Sequence, residues 1–220
     1  MKLENAKSRP DQLLLASLLV TILLYPLLDQ GDVRHLVLAF VVFVPVILST
    51  VKLLQIKRWI WPSVWVMGGA IILSILSRAY PSPALIGAKW AILAVFYGLT
   101  VVGLFSFLKN ARHITDSHLY TAVNIYLLLG FMWFALYSVV DSVWPEAIHR
   151  SYPNMTDHSS GLLYFSLVTL STIGYGDIAP IGGEVRMLAA LEGVTGVLYV
   201  AITVAILVSA YRGHEPGGGA

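Results

Sequence analysis

Residues 161–180 read GLLYFSLVTLSTIGYGDIAP, and the reading of this stretch decides the fold. Its apolar part, Gly161 to Thr172, would rise only about 18 Å as a helix, enough to enter a bilayer but not to cross it. Behind it stand Thr172, Ile173, Gly174, Tyr175, Gly176 and Asp177. Gly174 and Gly176 can adopt backbone conformations forbidden to most L-residues, so that successive carbonyls can be aimed at one axis. Carbonyls arranged in this way can replace the water shell of a cation while making entry and exit inexpensive. The β-branched Thr172 and Ile173 stiffen the remaining turns, and the Thr172 hydroxyl adds an oxygen at one mouth of the loop.

The surroundings of this stretch are those of lipid. Of 220 residues 57% are hydrophobic and 12% charged, against about 45–50% and about 25% in soluble domains. So few charges cannot solvate a globule of this size. The balance of 14 Lys and Arg against 12 Asp and Glu, net +2, argues against a nucleic-acid partner. Without Cys the chain has no disulfides, no CxxCH haem attachment and no thiolate metal site. Redox chemistry is not expected, and no enzyme is read from the chain.

Six further segments have the length of membrane-spanning helices, about 20 residues each. They run from Gln12 to Leu28, Val33 to Leu54, Ile60 to Leu76, Ala84 to Leu108, Leu119 to Val140 and Val185 to Tyr211. Lys and Arg of short connections are retained on the cytoplasmic side. With the N-terminus inside, that side carries Lys2, Lys7, Arg9, Lys52, Lys57, Arg58, Lys109, Arg112 and Arg212, and the outside carries Arg34, Arg78, Arg150 and Arg186. Both termini are therefore expected in the cytoplasm. The last residues, Gly217 to Ala220, read as a flexible tail, and no soluble ligand-binding module is expected after the sixth segment.

Residues Tyr164 to Pro180, YFSLVTLSTIGYGDIAP, resemble the pore helix and selectivity filter of the potassium-channel family, whose filter carries TVGYG with Val where this chain has Ile173. The resemblance implies an all-α membrane protein with six transmembrane helices, and a re-entrant pore helix and filter between the fifth and sixth. Residues 1–115 would form a four-helix transmembrane domain and 116–220 a pore domain. The carbonyls of Thr172, Ile173, Gly174 and Tyr175 would bind K+, with Gly176 completing the filter. One loop cannot encircle an ion, so the partner is the chain itself as a homotetramer. Membrane lipid would surround it, with no cofactor beyond K+ ions in the filter and no soluble regulatory partner legible. The expected location is the cell membrane.

By the same resemblance Asp177 and Tyr164 stand where the family braces its filter, although Tyr164 could equally pack without bracing. Val168 replaces a filter-bracing Glu found in some members. Gly196 occupies the place of a hinge glycine in the inner helix, or serves close helix packing. Val197, Val200 and Val204, with Gly193 and Val208, share one helical face, the face that turns to the pore in the family, where an aliphatic constriction could close by dewetting. Glu192 is an ionisable group within a span, and such groups are usually functional or paired. It reads either as a buried link to the pore helix or as an acid reaching water at the interface. If it is ionised and buried, Gln should weaken its bonds and Ala should weaken them further.

The fourth segment carries Lys89 and none of the Arg series of a voltage sensor. A charge crossing the whole field is worth about 2.3 kcal/mol per 100 mV, so one shallow Lys cannot give steep voltage dependence. Two other classes remain: a secondary transporter, which should show broken helices in repeated halves, and a non-conducting sensor or accessory subunit that retains a pore loop.

Overall fold

The computed structural model describes residues 10–25, 60–110, 114–151 and 158–212. The expected second span, Val33 to Leu54, and the tail from residue 213 lie outside the described residues. Helix α1 is Pro10–Leu24, α2 is Ile60–Ala79, α3 is Pro83–Lys109 and α4 is Asp116–Val143. Strand β1, Ile148–Arg150, leads to the short helix α5, His158–Leu170. Strand β2, Ile178–Pro180, is followed by α6, Gly183–Arg212.

Three of these helices, α3, α4 and α6, are long and apolar enough to cross a membrane. At 15 residues α1 rises about 22 Å, and the end of its expected span, Pro26 to Leu28, lies outside the described residues. Leu14, Leu18 and Thr21 form its buried stripe, at the spacing of one helical face. Pro83 starts α3, where its missing N–H would have had no partner in any case. Thr115 opens α4: its N–H donates to His118 Nδ1 at 3.2 Å, and its hydroxyl lies 2.8 Å from the same nitrogen.

The core sits between α3 and α4, which run antiparallel along their whole length. Gly87 admits Ser142, Gly98 lies against Met132, and Phe107 stacks on His118 at 4.9 Å. Between these levels the ring of Trp90 meets Phe134 edge-on, and Tyr97 tilts against Phe131. Helix α1 joins from the other side, where Tyr25 meets Phe134 and Asn124 Nδ2 donates to the Asp11 carbonyl at 2.8 Å.

The all-α expectation needs one correction. β1 and β2 pair antiparallel, with His149 opposite Ala179. The Ser151 N–H donates to the Asp177 carbonyl at 2.9 Å and the Ile181 N–H to the Ala147 carbonyl at 2.9 Å. A three-residue strand has too little periodicity to read from sequence. It forms because the chain leaving the loop after α5 runs back beside the chain leaving α4, and their backbone groups need partners. Arg150 anchors the ribbon to the end of α4 through Asp141 at 2.9 Å.

Candidate ion site

The short helix α5 ends in a backbone lock. The Thr172 N–H donates to the Thr169 carbonyl at 2.9 Å and the Ile173 N–H to the Val168 carbonyl at 3.0 Å. These are the paired bonds of a Schellman cap, whose left-handed position is usually filled by Gly. Here Thr172 fills it, with φ +60°, a conformation uncommon for a β-branched residue. Gly174 at +57° and Gly176 at +82° follow. Ile173 and Tyr175 between them keep the ordinary sign of φ. Such alternation curls the chain so that successive peptide groups face one side. The sequence marked the two glycines for this task but not the backbone of Thr172.

The loop is exposed in the single chain, with Ile173 55% and Tyr175 70% accessible. Tyr164 on α5 stacks parallel to Tyr175, with ring centroids 6.4 Å apart. Asp177 takes the Ile178 N–H on Oδ1 at 3.1 Å, and its carbonyl is held by the ribbon. The loop is thus fixed at one end by the cap on α5 and at the other by β2.

Behind α5 runs α6. Glu192, Gly196 and Thr203 are buried, and Tyr199 on the same stripe donates its hydroxyl to the Ala122 carbonyl at 2.6 Å. Glu192 has no exposed surface. Its Oε2 accepts from the Tyr137 hydroxyl at 2.6 Å, and its Oε1 lies 2.6 Å from Ser166 Oγ. Ser166 Oγ also lies 2.8 Å from the Gly130 carbonyl. Three helices meet at this carboxyl: α4, α5 and α6. Neither Tyr137 nor Ser166 was singled out from the sequence. The available signal was that both are polar residues in otherwise apolar runs, where a polar group needs a partner.

At Gly196 a Cβ would run into the Leu170 carbonyl oxygen, so the end of α5 rests directly on the α6 backbone. This supplies a packing reason for the glycine. Val197, Val200, Val204 and Val208 lie on the exposed part of α6. Lys89 sits 4.7 Å from the Trp90 ring, an attraction that holds a cation in place.

Residues 117–212 match the family described as Ion channel. This stretch is similar to ion-channel domains. It contains α4 from its second residue onward, the ribbon, α5, the loop and α6. Together with the three helices long and apolar enough to cross a membrane, this similarity points to an integral membrane protein. A stretch of 49 residues, 22% of this chain, is 41% identical to a Rhodopseudomonas palustris protein named "Putative potassium channel protein". The stretch spans 12% of that relative's length. Both matches agree with a resemblance to potassium channels at the level of the family. No solved structure matches the chain significantly.

Proposed function

We propose that the chain is one subunit of a homotetrameric potassium channel, with six spans, both termini cytoplasmic and α5 re-entering the cell membrane from outside. The observation that carries the reading is the capped loop whose residues 172, 174 and 176 are left-handed and whose Ile173 and Tyr175 stay exposed among the described residues. Four such loops around an axis would offer K+ the carbonyls of Thr172, Ile173, Gly174 and Tyr175 and the Thr172 hydroxyl, with Gly176 allowing the chain to leave. Two features support self-association. The loop presents Ile173 and Tyr175 to the outside, and α6 exposes Val197, Val200, Val204 and Val208, a valine face suited to a gate. Asp177, Tyr164 and Glu192 hold the loop from behind. The C-terminal end of α5 points its negative dipole end along the ion path.

The test is reconstitution of the purified protein into bilayers with potassium on one side and sodium on the other. The expected reversal potential lies far from zero, on the side set by potassium. A value near zero would sink the assignment.

Voltage dependence should be shallow. Among the described residues of α3 the cations are Lys89, held at Trp90, and Lys109 in the last turn. Current–voltage families are expected to lack a steep sigmoidal activation curve. Gating charge of the size carried by an Arg-rich helix would contradict this.

A further inference from the structure

The contacts at Glu192 can be counted in hydrogens. Three oxygen pairs lie within bonding distance: Tyr137 Oη with Glu192 Oε2, Ser166 Oγ with Glu192 Oε1, and Ser166 Oγ with the Gly130 carbonyl. Each needs one hydrogen between its oxygens. A phenol and a hydroxyl supply one apiece, a backbone carbonyl supplies none, and an ionised carboxylate supplies none. Two hydrogens cannot fill three bonds. With a carboxylate, Ser166 must face either Glu192 or Gly130 lone pair to lone pair, at 2.6 or 2.8 Å. The count closes when the carboxyl itself carries a hydrogen. Glu192 Oε1–H then donates to Ser166 Oγ, Ser166 donates to the Gly130 carbonyl, and Tyr137 donates to Glu192 Oε2.

We propose that Glu192 is a proton-binding site: a neutral carboxylic acid whose own hydrogen completes the chain from α6 through α5 to α4. The environment agrees. Glu192, Ser166 and Tyr137 are buried, and a bare charge is costly in such a place. From α4 the groups facing the carboxyl are the phenols of Tyr137 and Tyr126, and α5 presents Ser166. Among the described residues no Lys, Arg or His forms an ion pair with it.

Removing the proton has a defined consequence. The Ser166 hydrogen can then serve Glu192 or Gly130 but not both, and a buried negative charge appears where α5 rests on α6. Stability that is present while the proton is held is lost as pH rises and the proton leaves. Glu192 therefore couples the tightness of the contact behind the loop to the proton concentration.

The neutral acid also removes the gap between wild type and Gln that an ionised carboxylate would give. In Glu192→Gln the amide NH2 can donate to Ser166 while the amide oxygen accepts from Tyr137, so every bond survives without a titratable group. The experiment uses the full chain in detergent or nanodiscs. It measures the midpoint of heat-induced unfolding across neutral to alkaline pH for wild type, Glu192→Gln and Glu192→Ala, together with infrared difference spectra.

At neutral pH Glu192→Gln should match wild type, while Glu192→Ala falls by roughly 5 °C as the Tyr137 hydroxyl loses its acceptor and Ser166 Oγ loses its donor. On raising the pH, wild type should lose stability relative to Glu192→Gln. The wild-type-minus-Gln infrared spectrum should contain a protonated-carboxyl stretching band. A Gln variant that drops as far as Ala or fails to assemble would overturn the proposal. So would a wild-type spectrum with only carboxylate bands at this position. None of these measurements involves ion flux, so the outcome is independent of which ion the protein conducts.

Discussion

Replacing Gly174 by Ala is expected to abolish selective potassium flux while leaving the heat stability of the protein almost unchanged. The two effects separate because the glycine is needed for its backbone and not for its space. A Cβ at position 174 would meet nothing within 4 Å in the chain, so no packing is disturbed. With φ at +57°, however, an L-residue is disfavoured by roughly 1–2 kcal/mol. That corresponds to a factor of roughly 5–30 in the population of the required conformation, and in a ring of four loops the factor applies at each. One flipped peptide removes a carbonyl from the path and points an N–H at the cation. Flux of potassium and sodium through reconstituted protein would be measured beside the unfolding midpoint. Wild-type selectivity in Gly174→Ala would mean that this loop does not line the path. A large fall in midpoint would mean that the loop is packed more closely than the structure shows.

Gly196→Ala should behave in the opposite way, with stability as its main casualty. Its added methyl would meet the carbonyl of Leu170 and Cδ1 of the same residue, and a backbone oxygen at a helix end cannot rotate aside as a side chain can. Overpacking of this kind costs about 3 kcal/mol at the upper end of its usual range, equivalent to roughly 6–12 °C in a chain of this size. The readings of this glycine left open by the sequence are thereby separated. A position needed only as a hinge would change gating with little change in midpoint. A position needed for close approach loses stability first, and a Gly196→Ala protein as heat-stable as wild type would remove the packing reason. Gly193, three residues earlier, is a useful control because a Cβ there reaches the Thr169 carbonyl only at 3.7 Å, an ordinary contact. Gly193→Ala should be tolerated.

Legibility followed the range of the physical signal. Helices α3, α4 and α6 could be read to within a few residues because lipid demands long apolar runs, and such runs are properties of contiguous sequence. Short α5 was legible as an apolar run too brief to span. Gly174 and Gly176 announced left-handed backbone, but Thr172 did not, since a β-branched residue argues against the conformation that the helix cap imposes on it. The ribbon of residues 148–150 and 178–180 arises from two chain segments brought side by side by the helices, information that neither strand contains. Glu192 stood out as an acid in an apolar helix. Its partners did not, because Tyr137 and Ser166 lie 55 and 26 residues away, and the Gly130 carbonyl that completes the hydrogen count has no side chain to signal it.

The antiparallel seam between α3 and α4 bears on how such a protein can be recombined. The two helices touch from Gly87 against Ser142 to Phe107 against His118, and only residues 110–115 separate them in the chain. A chimaera that kept residues 116–212 and took its preceding helices from another protein would expose a face of α4 carrying Phe131 and Phe134, residues now almost wholly covered. The donor would have to reproduce the recesses at Gly87 and Gly98 as well as the aromatic ladder of Trp90 and Tyr97. Exchange of modules at this boundary is therefore closer to redesigning a protein core than to joining two parts through a linker, and the helices before residue 110 and those after residue 115 are expected to change together.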